Sequence, residues 1–251
     1  MAISASPDIA LQLYSIKEET QADFANALEL TARAGYQGVE FAGYFGRSAE
    51  EMKTLLARHR LKAVSTHAGL DRLRTAFAEE LDYAVKVGYA LIVCPYSPCE
   101  TKAQVLETAA FLETCARNAA ERGITIGYHN HAHEFVRFDG KFALDILLEA
   151  APSVTLQPDV YWIAAGGADP VAYLGPLQRA GRICAVHAKE MSRTGKENAY
   201  IGQGRIDFPA LARLCPPQTL PWIVEQEEYS TGHADGIAQS YRGLRAVFEP
   251  L

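Results

Sequence analysis

Basic residues are the scarcer charge in this 251-residue chain: 24 Lys and Arg stand against 30 Asp and Glu, a formal net charge of −6. No run of five or more Lys or Arg occurs. Proteins that bind nucleic acid rely on clustered cations, so no nucleic-acid partner is expected. Long apolar runs are missing as well. None approaches 18 residues, so no membrane-spanning helix and no membrane partner are expected. The opening stretch MAISASPDIALQLYS lacks a basic n-region and an extended apolar core, and is not read as a secretory leader. Cysteines are few and odd in number (Cys94, Cys99, Cys115, Cys184 and Cys215), with no C-x-x-C spacing. Such usage argues for free, partly buried thiols and a reducing, cytoplasmic location.

What is present is an ordinary globular mixture, 49% hydrophobic and 22% charged. Short β-like runs alternate with longer helix-like ones. The β candidates are residues 9–14, 38–41, 62–67, 90–94, 125–128, 155–157, 183–187 and 222–225, which makes eight. Amphipathic stretches such as 23–34 (DFANALELTARA) and 103–122 lie between them. In the second, Val105, Ala109, Leu112, Ala116 and Ala119 recur at spacings of three and four and make one apolar face. Gly35, Gly88 and Gly123 each close a helical run just before a strand, the usual place for a left-handed C-cap. Repeated helix–Gly–strand units imply right-handed crossovers and a parallel sheet. No linker interrupts them, and no G-x-G-x-x-G turn follows the first strand, which counts against a doubly wound open sheet. The expectation is an α/β protein with one domain over residues 1–251, a single (β/α)8 TIM barrel, for which about 250 residues is the usual length.

In such a barrel the active site is built at the C-terminal strand ends and the loops after them. Those ends carry Gln12 and Tyr14, Glu40, His67, Pro95 and Tyr96, the run YHNHAHE (128–134), Asp159, His187 with Lys189, and Glu225 with Glu227. Singly, each has a plain reading: His67 as a structural hydrogen-bonder, or Asp159 as the cap of a following helix. His59 and His233 are read as surface residues. Taken together, the set puts a polar, ligand-capable group in almost every unit. Carboxylates beside an imidazole suit a divalent ion such as Mn²⁺, Mg²⁺ or Co²⁺, with Zn²⁺ also open. An ion there could polarise a carbonyl and the adjacent hydroxyl of a sugar, and a carboxylate beside it could move a carbon-bound proton.

The segments GYHNHAHEF (127–135), QPDVYW (157–162), VHAKE (186–190), GQGRIDF (202–208) and VEQE (224–227) resemble the xylose-isomerase-like TIM-barrel superfamily of sugar (phosphate) isomerases and epimerases, which also includes endonuclease IV relatives. The resemblance implies one metal held by a carboxylate from strand five, an Asp from strand six, a His from strand seven and a Glu from strand eight. Asp159, His187 and Glu225 carry over directly. Where many relatives have Glu at the end of strand five, this chain has His129, with Glu134 five residues further on. Either could be the fourth ligand; Glu134 is preferred because it restores a shell of three carboxylates and one imidazole. Lys189 is expected to point the same way as His187 and to neutralise an enolate oxygen or hold a hydroxyl. Gln12, Tyr14, Glu40, His67, His131, Trp162 and Arg205 are expected to touch the substrate, Trp162 with Tyr161 as a flat wall unless one of the two belongs to the core, and Arg205 as part of a closing loop.

The leading expectation is a Mn²⁺-dependent isomerase or 3-epimerase of a keto-sugar or polyol, working through an enediolate with Glu225 or Glu134 as base. The alternative is a dehydratase or lyase on an inosose or 3-keto-glycoside through the same enolate, for which His129, His131 and His133 are candidate acids. An endonuclease IV-like role would need a basic face, which the net charge opposes. A non-catalytic sugar-binding barrel would keep the fold without turnover. With no phosphate-binding signature in the sequence, a non-phosphorylated sugar or inositol derivative is favoured, and a homodimer is the commonest assembly for a soluble chain.

Overall fold

The computed structural model describes residues 8–249; the first seven positions of the stretch read as lacking a leader lie outside the described residues. Eight strands form one parallel sheet: β1 (Ile9–Gln12), β2 (Gly38–Phe41), β3 (Lys62–His67), β4 (Leu91–Cys94), β5 (Thr125–His129), β6 (Thr155–Gln157), β7 (Val186–Ala188) and β8 (Trp222–Val224). Their order around the sheet is β6-β5-β4-β3-β2-β1-β8-β7. β6 and β7 then meet through the isolated parallel bridges Leu156–Ile183 and Asp159–His187, so the sheet is a nearly closed barrel. Pro158 has no N–H to give to a continuous ladder at this seam. Its carbonyl still accepts from His187 N at 2.8 Å. Helices run between the strands, giving the expected (β/α)8 TIM barrel. Among the described residues no helix is long and apolar enough to cross a membrane.

Two strand ends differ from the sequence reading by more than one residue. β1 stops at Gln12 because its side-chain Oε1 accepts from Tyr14 N at 3.0 Å and turns the chain into a 3-10 turn at Leu13–Ile16. β7 begins at Val186, and Ile183 contributes only its bridge. The helices follow the apolar pattern closely. Asp23 caps the helix Phe24–Ala34 by accepting from Ala25 N and Asn26 N. Val105, Ala109, Leu112, Ala116 and Ala119 are all buried on the helix Lys102–Ala120. Gly35 and Gly88 cap their helices with φ of +110° and +99°, a conformation that favours glycine.

Side chains alternate across each strand. One set, including Ile9, Leu11, Val39, Phe41, Ile126 and Trp222, belongs to the main apolar core shared with the helices. The other set fills the inside of the barrel with a small cluster of Ala10, Leu91, Val93, Ala185 and Ile223, packed by Val64 and Cys184. Space there is tight. A Cβ on Gly127 would lie 3.2 Å from both Cys184 Sγ and Val93 Cγ2. Two residues further along the strands the inward positions turn polar: Gln12, Glu40, His129, His187 and Glu225 continue the same series and are all buried. The period of two that packs the apolar inside of the barrel therefore also aims the chemistry at its mouth.

Candidate active site

At the centre of the polar layer lies His187, with no exposed surface. Its Nε2 meets Glu40 Oε1 at 2.6 Å, and its Nδ1 meets Glu225 Oε2 at 2.9 Å. Glu40 is the hub beneath it. It accepts from Gln12 Nε2, Ser65 Oγ and Gln157 Nε2, each at 2.6 Å, and lies 3.1 Å from His67 Nε2. Burial disfavours the Glu40 charge, but the imidazoles of His67 and His187 outweigh it and hold the carboxyl well below the usual carboxylate range. Burial likewise disfavours a charged His187, yet Glu40 and Glu225 lift its pKa to about 10.

Above this hub, His129, Asp159, His187 and Glu225 each offer a ligand atom, all within 4.8 Å of one another. The donor set fits a divalent ion. His129 Nδ1 and Asp159 Oδ2 are buried and have no hydrogen-bond partner. The other Asp159 oxygen is used, accepting from Trp162 N at 2.9 Å as a helix cap. Burial, reinforced by His187 and His67, keeps His129 well below the ordinary imidazole value and therefore neutral, as a ligand requires. Burial raises the Asp159 carboxyl to about 7, with Lys189 pulling it down and Glu225 pushing it up. Glu225 stays ionised: burial opposes its charge, but Lys189 and His187 hold it well below the usual range.

A cavity of about 490 Å³ opens over these groups, lined by Tyr14, Ala42, His67, Pro95, His129, His131, Trp162, Glu225 and Glu227. That volume is within the range of small-molecule sites. Trp162 supplies the aromatic wall, whereas Tyr161 is buried with its hydroxyl on Lys196 O. Trp162 Nε1 and His131 Nδ1 are buried without partners. Burial lowers His131 to about 4, so it is a neutral imidazole at physiological pH. Lys189 is 1% exposed; its ammonium is paired with Glu227, lies 3.8 Å from Glu225 Oε1, and sits 4.6 Å over the Trp162 ring. A larger hollow of about 600 Å³ at the N-terminal strand ends holds the Lys62–Asp8 ion pair and none of the converging groups.

The structure thus brings Tyr14, His67, His129, His131, Trp162 and Glu225 to one cavity, with Asp159, His187 and Lys189 buried against it. Four expectations need correction. Glu134 is not among the four converging groups, because its oxygens accept from Tyr128 Oη at 2.7 Å and His131 N at 2.8 Å; His129 stands in its place. Gln12 and Glu40 are fully buried and hydrogen-bonded to each other, so they support the site from below and do not touch a substrate. Arg205 faces away, its guanidinium on Met191 Sδ at 2.6 Å and 3.1 Å. Sequence reasoning gave no role to Ser65 or Gln157, which bind Glu40. For Gln157 a signal existed: it precedes Asp159 by two, as His187 precedes Lys189.

The sequence model of the family described as xylose isomerase-like TIM barrel matches residues 28–246. In fold the chain is similar to a sugar phosphate isomerase/epimerase from Parabacteroides distasonis, with a TM-score of 0.82 at 22% identity, over 99% of this chain and 98% of that one. It is also similar to the IOLI protein solved with a bound zinc atom, with a TM-score of 0.76 at 14% identity, over 97% and 98% of the two chains. A D-allulose 3-epimerase from Methylomonas sp. gives a TM-score of 0.68 at 18% identity, over 98% and 100%. At such identities these likenesses speak for the fold. No curated protein matches the sequence.

Proposed function

The chain belongs to the xylose isomerase-like TIM-barrel family, and on that premise we propose that it is a divalent-metal-dependent enzyme that shifts a carbon-bound proton on a keto-sugar or polyol ketone, giving an isomer or an epimer. The observation that carries this reading is the convergence of His129, Asp159, His187 and Glu225 under a sugar-sized cavity. Two imidazoles and two carboxylates form a borderline donor set, better suited to Mn²⁺, Co²⁺ or Zn²⁺ than to Mg²⁺. An ion held there would polarise a carbonyl and the hydroxyl beside it. The remaining work falls to the protein. Glu40 takes the Nε2 side of His187, the usual support for a metal-binding imidazole, so an ion would displace the proton between Nδ1 and Glu225 and take both as ligands. Glu225, in the cavity wall and ionised, takes the carbon-bound proton. Lys189 neutralises charge that builds up beside it, and neutral His131, in the same wall, is placed to take that proton over and return it to carbon.

One observation favours a second reading. Glu134 is not in the cavity wall, so a pair of facing carboxylates is replaced by a carboxylate and an imidazole. His131, once it has taken over the proton that Glu225 removes, could pass it to a leaving group β to the carbonyl, which makes the enzyme a dehydratase or lyase. Two measurements test these readings. Metal analysis by mass spectrometry should find about one ion per chain, lost in Asp159→Asn; no ion in the wild type after incubation with Mn²⁺, Co²⁺ and Zn²⁺ sinks the proposal. Proton NMR in D₂O on ketoses, inosose and 3-keto-glycosides then separates the reactions. Deuterium in a recovered isomer or epimer supports the first, whereas a released group or a new carbon–carbon double bond supports the second.

A further inference from the structure

We propose that the cavity takes an uncharged sugar and discriminates against sugar phosphates; the inference rests on the functional reading above for where the sugar sits. Among the described residues, the cavity wall contains no Lys or Arg and two carboxylates, Glu225 and Glu227. Asp159, ionised when it holds an ion, would add a third negative charge, and Glu40 lies beneath. With His187 neutral as a ligand, Lys189 and a divalent ion would offset three of these, leaving no positive charge for a phosphate. Lys189 is also committed. It pairs with Glu227, and its ammonium rests over the Trp162 and Tyr161 rings at 4.6 Å and 5.0 Å.

The places where barrels of this class hold a phosphate, the loops after strands seven and eight, are taken or are acidic. After β7, the buried carboxylate of Glu190 accepts from the backbone N–H groups of Met191 at 3.0 Å, Ile206 at 3.0 Å and Gly202 at 3.2 Å. The chain's own carboxylate thus fills the nest of N–H donors that an anion would use. Arg205 in the same loop is turned onto Met191. After β8 the chain reads Glu225, Gln226, Glu227, Glu228, and the helix His233–Phe248 that follows has Asp235 in its first turn and its His233 on Glu19 at 2.7 Å. At the rim, Lys17 lies 4.6 Å over the Tyr14 ring, outside the cavity wall. What the wall does offer suits hydroxyls and C–H faces: the unpartnered Trp162 Nε1 and His131 Nδ1, and the rings of Tyr14 and Trp162.

The test is isothermal titration of the Zn²⁺-loaded protein with matched probes: D-fructose against D-fructose 6-phosphate, D-ribulose against D-ribulose 5-phosphate, and inorganic phosphate alone. Each neutral ketose should bind about tenfold or more tighter than its ester, since like charges brought together in a desolvated site are costly. An ester that binds as well as its ketose, competition by inorganic phosphate, or failure of both neutral ketoses to bind overturns the inference. Glu227→Gln removes one wall charge and releases Lys189, so the gap between ketose and ester should narrow; an unchanged gap overturns the part assigned to this pair. Deuterium exchange followed in the same samples keeps the two ideas apart. A ketose that binds without exchange counts against the proton-transfer reading and leaves the charge preference standing.

Discussion

In the proposed metal site the Glu40–His187 contact would separate support from ligation. Glu40 sits 2.6 Å from Nε2 of a ring whose Nδ1 faces Glu225, so it holds the ring in place and would keep Nε2 protonated when an ion takes Nδ1. Glu40→Gln should weaken metal binding by roughly 10- to 100-fold, the usual cost of losing such a support, when measured by chelator competition. Unchanged affinity would show that the ring needs no such partner. Asp159, His187 and Glu225 were legible in the sequence because each lies at a strand end in step with the inward period of two. His129 is in step as well. Glu134 is not: it lies past the strand in a 3-10 turn at His133–Phe135, where Tyr128 and His131 hold it. The preference for Glu134 followed the expected charge of the shell, but the backbone register decided otherwise.

Among the elements, the loop after β7 is organised by Glu190, and Gly204 allows the close approach. A Cβ at Gly204 would lie 2.1 Å from Met191 O and 2.3 Å from Glu190 Oε1. Gly204→Ala should therefore cost about 1–3 kcal/mol in denaturant unfolding, the range for overpacking; a neutral result would mean that the loop moves aside freely. The helix Lys102–Ala120 is tied to the turn before β6 by Glu113, which accepts from Ser153 N, Ser153 Oγ and Arg117 Nε, each at 2.8 Å. Burial disfavours the Glu113 charge, but these bonds win and lower its pKa. A depressed carboxyl stabilises the fold above its unfolded value, and that contribution is lost as the pH falls through the folded value. Glu113→Gln should thus cost about 1–2 kcal/mol at neutral pH. Its deficit against wild type should shrink below the ordinary glutamate value of about 4.3. A deficit that stays constant from neutral to acid pH would contradict the charged hydrogen bonds. Glu190 could not be recognised from spacing, since its partners are backbone groups that loop closure brings near; for Glu113 spacing marks Arg117, four residues on, but not Ser153.

For the whole molecule, the four converging residues come from four different strand ends, so a bound ion would link segments far apart in sequence. An ion at about 100 times its dissociation constant should stabilise the folded chain by about 2.7 kcal/mol. For a chain of this size that is a rise in Tm of about 5–11 °C. Differential scanning calorimetry across a Zn²⁺ or Mn²⁺ titration should show the rise, and Asp159→Asn should abolish it. A flat Tm with an ion bound would mean that the unfolded chain binds the ion as well, which contradicts a site assembled by the fold.

Local patterns carried the architecture. Short β runs recur eight times between helices with one apolar face, a few of them closed by a left-handed glycine, and a parallel sheet of eight such units has few ways to bury its faces except by closing on itself. The same alternation marked a polar layer at the strand ends, so the sequence by itself determined the barrel, the end of it that carries chemistry, and three of the four converging residues. Only the tertiary structure decided which polar groups face the cavity and which stand beneath it. Glu40 and His187 are 147 residues apart and meet across the inside of the barrel. Contacts between non-adjacent strands depend on how the sheet closes, which no spacing along the chain records.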